Sequence, residues 1–235
     1  MAMDKSIFDD PERAEREEKF KRPTYMYQFR TGMQNAKRKP VSLAKFRVLA
    51  AGEPTAKGIA ELMGGNPALK FPEKEHDYEI LTDSASVEIV LNGSDAIEDK
   101  FMQWGPNGLP IHECDGRLSL MPDDRGEPCG CTGTLKERKA KSRSGKGPGP
   151  NVIVSFRLAG LGYELGMGRW IATAWQFAET VHGVKDDLDD VDGEALCRLE
   201  IVQEEFTDEN GELIKYKKPV LTVLGSYQDA IAEDR

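Results

Sequence analysis

The sequence predicts an α+β fold: a mostly antiparallel sheet, two main helices and a small zinc-knuckle-like insertion. Three observations predict it. Short segments of alternating apolar and polar residues, rich in β-branched side chains, recur along the chain. Only two windows carry helical periodicity with end signals. Three of the four cysteines and one of the three histidines crowd into residues 111–131, which otherwise carry turn formers and charges.

In order, residues 1–24 form a charged N-terminal arm. "DDPERAEREEKFKR" (9–22) reads as a short helix with Asp9 or Asp10 as cap and Pro11 in the first turn, but it lacks an apolar face. Residues 25–225 form a single α+β domain. "YMYQFR" (25–30) is a strand, and "VSLAKFRVLA" (41–50) a strand or short helix. "EPTAKGIAELMGG" (53–65) is a helix in which Thr55 caps, Ile59, Leu62 and Met63 share a face, and Gly64-Gly65 end the run. "YEILTD" (78–83), "SVEIVLN" (86–92) and "KFMQW" (100–104) are strands. An insertion over residues 111–150 follows, ending in "KERKAKSRSGKGPGPN" (136–151), which reads as a mobile basic connector.

"VIVSFRL" (152–158) is a strand. "GLGYELGMGRW" (160–170) has its third glycine one place late for a dinucleotide fingerprint, so tight turns beside a strand are expected. "TAWQFAETVHGV" (173–184) is a helix with Trp175, Ala178 and Val181 or His182 on adjacent turns, and "KDDLDDVDGE" (185–194) an acidic exit loop. "ALCRLEIVQEEF" and "ELIKYKKPVLTVLG" form a hairpin about an Asn210-Gly211 turn. Leu199, Ile201, Leu221 and Val223 make its buried face. Residues 226–235 are a short helix or frayed tail.

The formal charge of -9 works against nucleic acid as the main partner, although two basic strips exist, Lys37 to Lys39 and Lys136 to Lys146. Four cysteines in 235 residues do not make a disulfide scaffold. The first 22 residues lack the apolar segment of a secretory signal. The expected location is cytoplasmic.

The cysteine segment carries the chemistry. His112-x-Cys114 is followed, after 14 residues, by Cys129-x-Cys131. Two close ligand pairs joined by a loop suit a tetrahedral, structural zinc. Such binding releases roughly 10–16 kcal/mol in small metal-folded peptides, far above the few kcal/mol of closing the loop. Cys114, Cys129 and Cys131 are three candidate ligands. His112 is the candidate fourth, with Asp115 or Glu113 in reserve. Unliganded thiols, or a disulfide from Cys114 to Cys129 or Cys131, are the alternatives. Cys197 reads as a core residue, His182 as a helix-packing one and His76 as a surface one. No H-E-x-x-H, G-x-S-x-G, P-loop or Cys/His catalytic signature occurs, so an enzyme is not expected. Glu113 and Asp115 beside the ligands keep a zinc-dependent hydrolase as a rival.

The order of several short motifs resembles the larger phage recombination directionality factors, which reverse large serine integrases. They are "FRTG" (29–32), "RKPVSLAKFRV" (38–48), "ELMGG" (61–65), "YEILT" (78–82), "CDG" (114–116) and "GEPCGC" (126–131), then a strand, a Gly-rich turn with Trp170 and an alanine-bearing helix. The resemblance spans residues 26–224. It departs from the family where one further cysteine often follows Cys-x-Cys and "GKGPGPN" (145–151) stands here. A tryptophan near the Gly-Gly turn is also replaced, by the stretch from Pro67 to Pro72.

The resemblance implies metal-ligand roles for Cys114, Cys129 and Cys131. It also implies a non-enzymatic phage- or prophage-encoded protein of the bacterial host cytoplasm. Such a protein binds a DNA-bound large serine integrase and switches it from integration to excision, with little or no direct DNA contact. The candidate interfaces are the N-terminal charged helix, the hairpin over 196–225 and the metal loop. A phage replication accessory protein that binds single-stranded DNA is the other alternative, with Tyr25, Tyr27 and Phe29 as stacking residues near Lys37–Lys39.

Overall fold

A computed structural model describes residues 25–37, 39–131, 133–207 and 211–233. It is α+β, built on an 11-stranded, mostly antiparallel sheet. The strands are β1 (Tyr27–Gln34), β2 (Pro40–Ala50), β3 (Ala68–Leu69), β4 (Tyr78–Leu81), β5 (Ser86–Asn92), β6 (Ile97–Trp104), β7 (Pro110–Cys114), β8 (Gly149–Leu158), β9 (Gly168–Ala172), β10 (Glu194–Thr207) and β11 (Leu213–Ser226). The helices are α1 (Glu53–Met63), α2 (Leu135–Arg143), α3 (Trp175–Ala178), α4 (Val181–Asp189) and α5 (Tyr227–Glu233). The charged segment over 9–22 and Asn210 of the hairpin turn lie outside the described residues. Among the described residues no helix is long and apolar enough to cross a membrane.

The sheet runs β11-β10-β5-β8-β9-β1-β2-β4-β3. β8 is its organising strand. One edge pairs with β9; the other pairs first with β6, from Gly149 to Val154, and then with β5 through Arg157 and Leu158. β1 and β9 are parallel. The sheet curls, bringing β10 and β11 against β2.

Alternation makes the core. Tyr27 and Phe29 on β1, Phe46 on β2 and Phe156 on β8 are each at most 2% exposed, and their rings meet edge-to-face. Trp170 on β9 is fully buried, its ring centroid 4.6 Å from that of Phe177 on α3. Gly168 belongs to this packing and not to a turn: a Cβ there would sit 1.8 Å from the Tyr27 ring. A residue the sequence assigns to turn chemistry is thus a cavity for an aromatic ring. The hairpin of β10 and β11 buries Leu199, Ile201 and Leu221 as its alternation predicts, with Val223 half-buried.

Several local expectations need correction. α1 starts before Thr55: Gly52 is its cap, without a side-chain bond, and Thr55 is buried in the first turn. The Gly52 amide instead donates to Asp77 Oδ1 at 2.8 Å. Ile59 and Met63 are buried, but Leu62 faces outward. The first half of the basic connector over 136–151 is α2. Thr134 and Glu137 form a capping box whose bonds nucleate the helix despite its near-absence of apolar residues.

The helix over 173–184 is broken at Glu179–Thr180, where the Thr180 hydroxyl donates to the Phe177 carbonyl. The first half of the acidic exit loop is the C-terminal part of α4. Val181, Val184 and Leu188 fall on one buried face, while its aspartates stay exposed. β1 starts at Tyr27 and runs on to Gln34, and the 41–50 segment is strand throughout.

One buried carboxylate ties β4 to its neighbours. Glu79, 7% exposed, accepts from Arg47 Nε on β2 and from Lys70 Nζ beside β3. Burial acts to raise its pKa. The Lys70 and Arg47 hydrogen bonds outweigh that and hold it below the usual carboxylate value. A depressed native pKa adds stability above the unfolded value of about 4.3 and loses it as pH falls through the native value. The urea midpoint of the parent should therefore drop between about pH 5 and about pH 3, and more steeply than that of Glu79→Gln. At neutral pH, Glu79→Ala should lower stability by about 1–3 kcal/mol through two orphaned cations.

Candidate metal centre

β7 pairs with β6, setting Phe101 opposite Cys114 and Gln103 opposite His112. His112 and Cys114 are two apart on this strand, so both side chains share a face. The single intervening residue, short for a zinc knuckle, is the period of a strand. Glu113 points the other way and pairs with Lys100 at 2.7 Å.

Beyond Cys114 the chain turns back in two short passes. The Asp115 carboxylate accepts from the Arg117 and Leu118 amides, both at 2.7 Å. Leu120 N donates to Glu113 O, Ser119 N to Glu127 O, and Cys129 N to Arg117 O. Isolated bridges link Cys114 with Ser119 and Leu118 with Pro128. These bonds carry Cys129 back beside β7. Gly130, at φ 67, makes the left-handed turn that brings Cys131 to the same point.

The outcome is one cluster. The ligand atoms of His112, Cys114, Cys129 and Cys131 all lie within 4.8 Å of one another. Cys131 Sγ is 3.8 Å from Cys114 Sγ and 3.2 Å from His112 Nε2. A tetrahedral ion with metal–sulfur bonds of about 2.3 Å would set two sulfurs about 3.8 Å apart and a sulfur and nitrogen about 3.5 Å apart. These four residues could therefore bind a metal, and the donor set and spacing are compatible with zinc. The four cysteines are free, so no disulfide competes. Burial, the leading cause, pushes the Cys114 thiol up to about 12 and raises that of Cys131. Thiols so placed are poor anions by themselves. A bound dication removes the proton and answers the buried charge.

α2 braces the cluster from outside. Arg138 Nη2 donates to Cys131 O at 2.7 Å and to Gly116 O at 3.2 Å, and its guanidinium lies over the Phe101 ring. Three thiolates and a neutral imidazole around a divalent ion carry a net charge of -1, which Arg138 offsets. A hollow of about 200 Å³ adjoins, framed by Arg138, Lys141 and Lys146.

The reserve ligands are otherwise engaged, Glu113 with Lys100 and Asp115 with its own loop. Cys197 is fully buried away from the cluster, as its strand pattern predicts, and burial lifts its thiol to about 12. His182, expected in helix packing, is exposed on α4. His76, expected at the surface, is half-buried and donates to the Tyr25 carbonyl at 2.7 Å. Tyr25, Tyr27 and Phe29 are core residues at 7%, 1% and 2% exposure, so their rings offer no face to a nucleic-acid base. Sequence reading missed Arg138. The Thr134-x-x-Glu137 box was the signal that would have placed it on a helix beside the cysteines. No protein-family model matches the chain, and no solved structure matches it.

Proposed function

We propose that the protein is a recombination directionality factor, a non-enzymatic regulator that binds a DNA-bound large serine integrase and turns it from integration to excision of phage DNA. The carrying observation is the cluster. "CDG" and "GEPCGC", the most specific words of the family resemblance, come together at one point, and His112 offers a fourth donor in a chain that lacks the further cysteine often found after Cys-x-Cys. A set of four protein ligands fills a tetrahedral zinc and leaves no position for substrate water. Glu113 and Asp115 are both engaged elsewhere, so neither is poised as a general base. Zinc at this centre is thus structural, and the protein acts by binding.

A protein partner is further supported by the β10–β11 hairpin. Phe206, Leu213 and Ile214 near its end are 49%, 57% and 38% exposed, an apolar surface of the kind that docks on another polypeptide. The overall negative charge suits contact with a basic DNA-binding partner. The factor would act by preferring one arrangement of the integrase's mobile coiled-coil arm. Reversing a 1:99 preference needs about 5.5 kcal/mol of differential affinity.

Reconstitution tests this. The purified protein, a cognate large serine integrase and the two product attachment sites are expected to give excision, which integrase alone does not. Recombination whose direction ignores the protein would reject the assignment.

A further inference from the structure

A groove of about 970 Å³ lies between the far end of the β1–β2 ladder and the β10–β11 hairpin. Its cationic lining comes from Arg30 on β1, Arg47 on β2, Lys70 beside β3 and Lys217 on β11. Met33 and Ile171 add apolar surface between them.

Charge is concentrated there against local stability. Arg30 stands directly opposite Arg47 across the β1–β2 ladder. Like charges in that relation repel and weaken a sheet. Glu79 partly neutralises Arg47 and Lys70, but Arg30 and Lys217 have no ion pair among the described residues. Desolvation, and then the neighbouring Arg47, push the Arg30 pKa down. In a chain of net charge -9, a cluster of cations with an unrelieved repulsion is a place prepared for an anion.

The groove also bares a strand edge. β1 pairs with β9 only from Tyr27 to Phe29. From Arg30 to Gln34 its one ladder among the described strands is with β2, because the β1–β9 pairing ends at Trp170 while β9 runs on to Ala172 paired with β8 alone. An unclaimed edge offers backbone donors and acceptors to an added strand.

We propose that this groove receives an extended acidic segment of a partner polypeptide, which adds as a strand along residues 30–34 of β1 and sets its carboxylates on Arg30 and Lys217. A nucleic-acid strand would answer the cations but leave the strand edge unclaimed. Among the described residues no aromatic side chain lines the groove to stack its bases. An acidic peptide answers both the charge and the edge. The inference goes beyond the integrase reading and does not rest on it. Its test contains no integrase, so the two can fail separately.

The test uses the full chain and a fluorescent peptide of alternating glutamate and valine, followed by anisotropy. The peptide is expected to bind. Binding should weaken by about tenfold or more in the double variant Arg30→Glu, Lys217→Glu, because attraction becomes repulsion. It should weaken similarly when the peptide backbone is N-methylated at alternate residues, which blocks a strand ladder but keeps the side chains. A lysine–valine peptide should not bind. The melting temperature of Arg30→Glu should equal or exceed the parent's, since the new carboxylate faces Arg47, which separates lost binding from lost folding. Absence of peptide binding would overturn the proposal. So would binding indifferent to both the double variant and N-methylation. Retention of oligothymidylate, lost in the double variant, without retention of the peptide would assign the groove to nucleic acid instead and overturn it as well.

Discussion

Replacing Cys131 by serine is expected to release the metal and lower the melting temperature by about 8–16 °C, from about 4 kcal/mol of linkage at a thousandfold excess over Kd. Cys131 is the hub of the cluster, with its sulfur 3.8 Å from that of Cys114 and 3.2 Å from His112 Nε2. Its loss leaves three ligands around a buried thiol that burial already disfavours as an anion. The segment from Asp115 to Gly130 cannot compensate by packing. Leu118 is 43% exposed, and the segment's order comes from turns and backbone hydrogen bonds. Elemental analysis with a thermal scan, with and without chelator, measures both effects. His112→Cys is the matching control. It keeps four ligands and is expected to keep the metal, which a role for His112 other than ligation would not predict.

Trp170→Ala is expected to lower unfolding stability by about 3–5 kcal/mol. Trp170 is fully buried on β9 and packs edge-to-face on Phe177, so truncation opens a cavity between the sheet and α3 and removes an aromatic pair. Trp170→Phe should lose much less. It fills most of the volume and removes an indole Nε1–H that is buried without a hydrogen-bond partner among the described residues. Urea midpoints measure the difference. Metal content should not change in either variant, because β9 does not contribute to the cluster. The two sets of variants thus separate core stability from the metal centre.

What was legible in the sequence follows from how local each signal is. Alternation announced β5, β8 and the β10–β11 hairpin, because one buried face imposes a period of two. Crowded soft ligands announced the cluster, His112 included. Composition misled where a short local signal outweighed it. The basic, glycine-rich run after Thr134 looked incapable of order, yet one capping box starts α2 there. The aspartates of 186–190 disguised the Val181, Val184 and Leu188 stripe of α4. The one-residue spacing of His112 and Cys114 is the period of β7, which puts both side chains on one face. The parallel pairing of β1 with β9 and the divided partnership of β8 depend on contacts far apart in the chain, which no local pattern encodes. The groove at Arg30 escaped notice for the same reason. Its cations are up to 187 positions apart, from Arg30 to Lys217.

X-ray absorption at the zinc edge of the metal-loaded protein is the most direct measurement of the centre on which this account stands. Three sulfurs at about 2.3 Å and one nitrogen at about 2.0 Å are expected, at one ion per chain. A shell of oxygen and nitrogen alone, or substoichiometric zinc that washes away without change in melting temperature, would contradict it.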